Sequence, residues 1–167
     1  MPKPLIVTAA TANSPYEKCL EKQKAIYGDG IVTFLFPETT WAEGTKIKPN
    51  AIMQALQITD TVLWIDADCA VQLPEEDPPA GDVLTTENIH PNHINRISAA
   101  FILFRKHAKT EQFLRSWAMA NRRHKKDHSA LMQTIRRMDN LTRIRDMTEW
   151  LKNRHQINVL LPERGVY

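Results

Sequence analysis

Two carboxylates two residues apart carry the chemistry of this sequence. Asp66 and Asp68 end the run Thr61-Val62-Leu63-Trp64-Ile65-Asp66-Ala67-Asp68-Cys69-Ala70-Val71. Residues 61–65 are β-branched or bulky and apolar, which predicts a short buried strand. The acids follow it directly. Carboxylates this close repel unless a cation, a proton or hydrogen-bond donors lie between them, and their apolar neighbours offer none. Oxygen ligands at a strand end suit Mg²⁺ or Mn²⁺, hard cations that also bind diphosphates. Open α/β sheets bind ligands outside the carboxyl ends of their strands. The spacing therefore predicts a metal–phosphate site. The plainer alternative is two acids capping a turn in solvent.

The elements that must position this pair can be read on either side of it. Residues 5–9 predict a first strand, and Thr8 to Thr11 after it are small. Ser14-Pro15-Tyr16-Glu17 reads as a helix start, with Ser14 as N-cap, Pro15 at the first helical position and Glu17 completing a capping box. Tyr16, Cys19, Leu20, Gln23, Ile26 and Tyr27 then share one helical face, and Gly28-Asp29-Gly30 stops the helix. Residues 31–36 are a second strand, which makes a βαβ unit with parallel pairing. Residues 38–48 read as a loop, polar apart from Trp41, and 49–59 as a helix leading into the D-x-D strand.

After that strand, Pro74-Glu75-Glu76-Asp77-Pro78-Pro79 is an acidic surface loop. Strands are expected over 82–89 and 97–105, with a turn at His90-Pro91-Asn92-His93 between them. Helices are expected over 110–122 and 127–137, a shorter one around 148–152, and a last strand over 157–161. The fold class is α/β: one domain over 1–167, with a mostly parallel central sheet flanked by helices. A nucleotide-binding half (1–73) precedes a helix-rich acceptor half (82–167).

Charge divides the same way. Residues 1–95 hold 6 Lys and Arg against 13 Asp and Glu, whereas residues 96–167 hold 16 against 6. The excess in the second half includes Arg122-Arg123-His124-Lys125-Lys126, Arg136-Arg137, Arg143 and Arg145. It points to a polyanion as partner, or else to solvated helix faces. No apolar run reaches the roughly 20 residues of a membrane span, and no signal-peptide pattern opens the chain. Cys19 and Cys69 sit in apolar contexts and read as buried free thiols. A cytoplasmic location without membrane contact is the expectation.

The order of these pieces resembles the GT-A family of nucleotide-sugar glycosyltransferases, in its smaller members. The residues that carry the resemblance are Lys48-Pro49-Asn50-Ala51-Ile52 before the strand, residues 62–68 with the D-x-D, the small-residue strand over 97–104, Trp117, and Asp127-His128-Ser129-Ala130-Leu131. The resemblance implies that Asp68 binds Mn²⁺ or Mg²⁺ directly. It implies that Asp66 shares the metal or holds the ribose and sugar. Thr8, Ala9, Ala10 and Thr11 would line the nucleotide pocket, and Lys48 would lie near the diphosphate. Asp127 matches the Asp of the family's Asp-Gln pair and would act as base or orient the sugar; helix N-cap is its other reading. His128 replaces the Gln of that pair. The family's late metal-binding histidine has no clear counterpart, and His155 and His128 are the substitutes. His90 and His93 could border the site.

The implied activity is metal-dependent transfer from a nucleotide-sugar, with a UDP-sugar as expected donor. The basic half suggests a hydroxymethylated base in DNA as acceptor, as in bacteriophage-type base modification. Arg122, Arg123, Lys125 and Lys126 would hold the backbone and the base would be flipped out. A glycan or lipid acceptor is the alternative. Haloacid-dehalogenase-like phosphatases also use D-x-D after an apolar strand, but near the N-terminus. A non-catalytic nucleic-acid-binding module would leave Asp66 and Asp68 unexplained.

Overall fold

The computed structural model describes residues 3–88 and 97–156. One six-stranded sheet runs through both halves of the chain in the order β2-β1-β3-β6-β5-β7. The strands are β1 (Leu5–Thr11), β2 (Ile31–Phe36), β3 (Thr61–Ile65), β5 (Val83–Glu87), β6 (Ile97–Arg105) and β7 (Ile144–Asp146). A separate ribbon pairs β4 (Cys69–Val71) with β8 (Arg154–Gln156). β1 is parallel to β2 and β3, and β5 to β7; β6 alone runs against its neighbours β3 and β5. The sheet is thus mostly parallel, and the carboxyl ends of β2, β1 and β3 share one edge. The helices are α1 (Pro15–Tyr27), α2 (Trp41–Gly44), α3 (Lys48–Ala55), α4 (Ala108–Asn121) and α5 (Asp127–Met138).

Alternation along β3 sorts the core into two layers, since successive strand side chains point to opposite faces. Val62 and Trp64 join Val7 and Ala9 beneath α3, α4 and α5, where Ile52, Phe113, Trp117 and Leu131 pack. Leu63 and Ile65 join Ile6, Phe101 and Leu103 on the other face, under Val71, Met147 and Leu151. Ala10, Cys19, Leu20 and Ala67 close that face beside α1. Both cysteines are free and buried.

Some local expectations are corrected. Residues 41–47 are not loop but α2 followed by a 3-10 turn over Thr45–Ile47, because Thr40 accepts the Glu43 N–H as N-cap. Ser14 is the N-cap position of α1, yet its hydroxyl donates back to Thr11 O, and Glu17 instead accepts the Asn13 N–H. Residues 148–153 form turns rather than a helix, with Asp146 accepting from the Thr148 N–H and hydroxyl. The short strands β4 and β7 lack any alternation long enough to read in sequence. The strand expected over 157–161, and His90 and His93, lie outside the described residues.

Several arginines of the basic half serve the fold. Arg105 donates to the Pro78, Pro79 and Gly81 carbonyls and so anchors the acidic loop. Arg143 forks onto Asp82 (Nη2 to Oδ1 2.9 Å), which holds the buried Asp82 carboxyl below the usual range. Arg154 donates to the Thr148, Leu151 and Glu87 carbonyls. These groups are engaged with the protein itself. Arg143 is paired with Asp82 while its side chain stays 66% exposed.

Candidate active site

The D-x-D pair leaves β3 at the carboxyl edge through a tight turn. Cys69 N–H donates to Asp66 O (2.9 Å), and Asp66 N–H continues the β3–β6 ladder to Ala100 O (3.0 Å). Asp66 follows the parity of Val62 and Trp64, so its carboxylate falls on the α3–α5 side. There Lys48 Nζ lies 2.8 Å from Asp66 Oδ1 and 3.2 Å from Oδ2, and 3.3 Å from Asp127 Oδ2. It also donates to Ala99 O (3.2 Å) and sits 5.9 Å from the centroid of the Trp64 ring. Trp64 Nε1–H donates to Asp66 Oδ1 (2.8 Å). Lys48 opens α3 and Asp127 opens α5. A cation at a helix N-terminus is unfavourable alone, whereas a carboxylate there is favoured; pairing the two on one face of the sheet resolves the conflict.

Burial dominates the electrostatics of this triad. Lys48 is 7% exposed and Asp127 4%. Burial pulls the Lys48 ammonium down, but Asp66 and Asp127 more than offset it and hold it above the ordinary lysine value. Burial raises the Asp127 carboxyl, against the opposing pull of Lys48. Asp127 Oδ1 is buried, and the Asn121 side chain hydrogen-bonds the carboxyl alongside Lys48. Asp127 is therefore no N-cap: Lys126 holds that position, and the Asp127 side chain turns into the site.

Asp68 faces the other layer. Its Oδ1 lies 3.5 Å from the Cys69 thiol, a weak donor, and its own backbone N–H gives modest further support. Burial, then the neighbouring Asp66 charge, pushes its carboxyl up. Its charge reaches Cys19 and Tyr16, whose phenol is raised chiefly by burial. Tyr16 in turn hydrogen-bonds Trp41, which stands 62% exposed at the start of α2.

Two side chains of α1 hold the turn from below. Gln23, fully buried, donates its Nε2 to Asp66 O (3.0 Å) and Cys69 O (2.6 Å). The Tyr27 hydroxyl accepts from Val71 N–H (2.7 Å) and donates to Val71 O (3.1 Å). Sequence reading placed both on the buried face of α1 without their role. The polar Gln23 on that face was the available signal. Trp41, Tyr16 and Trp64 were likewise absent from the expected site.

The other expected site residues divide. Thr8 and Ala9 lie within the sheet, opposite Thr33 and Phe34. Ala10 and Thr11 reach its carboxyl edge, Ala10 packing with Ala67 and Thr11 against Gly44, where an added Cβ would come within 3.3 Å of Thr11 Cγ2. His155 is opposite Ala70 in the β4–β8 ribbon, so its backbone lies beside the D-x-D turn. Among the described residues no group of three His, Cys, Asp or Glu converges as a metal cage. The donor set still fits Mg²⁺ or Mn²⁺ in one mode. Asp68 is an under-compensated carboxylate, and such ions are held by one or two carboxylates plus substrate phosphates. A depression of about 490 Å³ among Lys3, Leu5, Tyr27, Ile58 and Leu73 lies at the opposite edge of the sheet and contains no carboxylate.

This architecture is shared with solved glycosyltransferases. A glycosyltransferase involved in the glycosylation of the major capsid of PBCV-1 is 14% identical, with 86% of this chain and 81% of that chain covered and a TM-score of 0.58. The apo-form glycosyltransferase GlyE of Streptococcus pneumoniae TIGR4 is 9% identical with a TM-score of 0.50; 85% of this chain covers 45% of it. No family model matches the chain, and no curated protein does. The likeness defines the class of fold: a GT-A-like α/β architecture. No helix among the described residues is long and apolar enough to cross a membrane.

Proposed function

We propose that this chain is a metal-dependent glycosyltransferase that moves a sugar from a nucleotide-sugar, with a UDP-sugar as donor, to an acceptor hydroxyl. The observation that carries this reading is the pair of carboxylates at the carboxyl edge of a GT-A-like sheet. One of them, Asp66, is paired with Lys48; the other, Asp68, makes no direct ion pair among the described residues, and Lys48 acts on it only weakly. Asp68 would hold Mn²⁺ or Mg²⁺, with His155 as the further candidate ligand. Bound there with the diphosphate, the ion would neutralise the leaving group.

In the transfer the bond from the sugar C1 to the diphosphate oxygen breaks and a bond from C1 to the acceptor oxygen forms. The acceptor proton leaves with a base. Asp127 would serve as that base or hold the sugar; its pairing with Lys48 beside the D-x-D turn supports this reading. Burial raises its carboxyl, which makes it a better proton acceptor. Lys48 acts through Asp66 and Asp127, between which its single positive charge is shared. Ala10, Thr11, Tyr16 and Trp41 would form the nucleotide wall, with Trp41 under the base. Trp41→Ala is expected to weaken binding of UDP by about 1–3 kcal/mol, the scale of a lost base–aromatic stack, with melting temperature unchanged. Calorimetric titration of the variant reads this, and equal affinities would remove Trp41 from the site.

The test of the whole reading is hydrolysis and thermal shift over a panel of nucleotide-sugars with and without Mn²⁺. Mn²⁺-dependent release of free sugar supports it. Release of phosphate from simple monoesters, with no action on nucleotide-sugars, would move the reading to a phosphatase.

For the acceptor we propose DNA carrying a hydroxymethylated base. The support is Arg122, Arg123, Lys125 and Lys126, all exposed and adjoining Asp127 in sequence. Phosphate contacts release counterions, so binding should weaken steeply with salt. Replacing Arg123 and Lys126 by Ala is expected to flatten the salt slope by about one unit per lost contact while leaving donor hydrolysis intact. A glycan acceptor is the second reading, favoured by the solved neighbour involved in capsid glycosylation. Transfer of labelled sugar to glycans alone, or DNA binding indifferent to salt, would favour it.

A further inference from the structure

The Lys48 ammonium has three protons, and three groups take them: Asp66, Asp127 and the Ala99 carbonyl. Asp66 is equally engaged. Its Oδ1 receives both Lys48 and the Trp64 N–H, and its Oδ2 lies 3.2 Å from Lys48. The protein's own cation therefore occupies the carboxylate that a D-x-D pair would otherwise offer a metal. Asp68 is the carboxylate left over: among the described residues its hydrogen-bond donors are a thiol and its own backbone, with Lys48 acting on it only at longer range.

We propose that Lys48 is a positioning residue that makes divalent-ion binding by this site conditional on the diphosphate. The inference rests on the metal-dependent reading above. A lone carboxylate is a poor site for Mg²⁺ or Mn²⁺, which need several more oxygens. A diphosphate beside Asp68 supplies them. The ion and the nucleotide then strengthen each other's binding by one and the same factor, as linkage requires. Lys48 enforces this by keeping Asp66 in an internal ion pair. It also holds α3 and α5 against the D-x-D turn, so that Asp127 stays beside the reacting groups whether or not a donor is present.

The experiment is Mn²⁺ titration, followed by calorimetry and by the electron paramagnetic resonance of free Mn²⁺, with and without UDP. For the wild-type protein, weak binding of Mn²⁺ alone is expected, strengthened by UDP at least about tenfold, within the usual range of coupling between sites. Lys48→Met removes the charge at similar length and frees Asp66. Its affinity for Mn²⁺ alone is expected to rise about tenfold or more, and the factor contributed by UDP to shrink correspondingly. Because Lys48→Met leaves the buried Asp127 unpaired, the double variant Lys48→Met/Asp127→Asn is measured alongside. It keeps the freed Asp66 without the stranded charge and is expected to show the same gain. Adding Asp68→Asn to it should reverse the gain.

Wild-type Mn²⁺ affinity equal with and without UDP would overturn the proposal. So would a folded Lys48→Met/Asp127→Asn variant with no gain in Mn²⁺ affinity. The second result leaves the metal-dependent reading standing; the first also removes the contact between ion and diphosphate on which that reading relies, since such a contact requires coupling. Absence of Mn²⁺ binding by the wild type under both conditions is a different failure and takes that reading down as well.

Discussion

Asp68→Asn is expected to abolish Mn²⁺-dependent donor binding while the protein without metal melts at the same or a higher temperature. The two halves of this result have one cause. Asp68 is half-buried, next to Asp66, and lacks a strong donor. Burial first, and the Asp66 charge second, disfavour its ionised form. The amide removes that charge at equal size. Stability should therefore hold or rise, by about 2–4 °C if the relief amounts to about 1 kcal/mol in a domain of this size. Donor affinity should fall because the one carboxylate free to meet a cation has gone. Thermal melts with and without Mn²⁺ and UDP read both effects. Unaltered Mn²⁺-dependent donor binding in the variant would sink the assignment of Asp68.

The same cause fixes a pH dependence. A carboxyl whose pKa is raised on folding keeps its proton to higher pH in the native state than in the unfolded chain. Native stability then falls as pH rises through the folded pKa, and the penalty is absent below the unfolded value of about 3.9. The gain from Asp68→Asn should be largest at pH 7–8 and vanish as pH approaches about 4. Comparing variant and wild type at each pH cancels the opposing contribution of Asp82. That carboxyl is held low by Arg143, so its stabilisation is lost as pH falls. A stability difference that grows toward low pH would contradict the placement of Asp68.

The strands and helices that build the site were legible because each carries a periodic pattern of its own. β1, α1, β2, β3, β6, α4 and α5 all lie close to where alternation and helical spacing put them. The position of Asp66 and Asp68 at the end of β3 was legible because two acids follow an apolar run directly. What sequence could not show was direction. Asp66 and Asp68 read as equivalent neighbours, yet the turn sends one to the α3–α5 layer and the other toward α1. Lys48 is expected near the diphosphate; that its ammonium bonds to two carboxylates far from it in the chain could not be read from sequence. Asp127 read equally as cap or site residue, and only the packing of α3 and α5 on either side of α4 brings it to Lys48. The charge of the second half was also misleading in part. Arg105, Arg143 and Arg154 bind carbonyls or Asp82, and composition does not separate arginines engaged in this way from the rest.

Gln23 gives the second large effect, and it tests whether the turn is held or holds itself. Its amide spans the turn, donating to Asp66 O and Cys69 O, so one side chain on α1 fixes both ends of the segment that carries Asp68. Gln23→Met keeps the volume and removes both donors. Each lost hydrogen bond leaves a carbonyl short of a partner beneath the turn. At about 1 kcal/mol or more apiece, the variant should melt about 4–8 °C lower, given about 2–4 °C per kcal/mol at this size. A merely structural residue would do no more than that. A residue that positions Asp68 should also weaken Mn²⁺-dependent UDP binding at temperatures where the variant is fully folded, while leaving DNA binding by the Arg122–Lys126 segment unchanged. Tyr27→Phe supplies the contrast. It removes the hydroxyl that both accepts from and donates to Val71, on the far side of the turn. It should lower the melting temperature with less effect on the metal. If Gln23→Met costs stability but leaves Mn²⁺-dependent UDP binding intact, the turn keeps its shape without the clamp, and Asp68 is positioned by its own backbone and the β4–β8 ribbon.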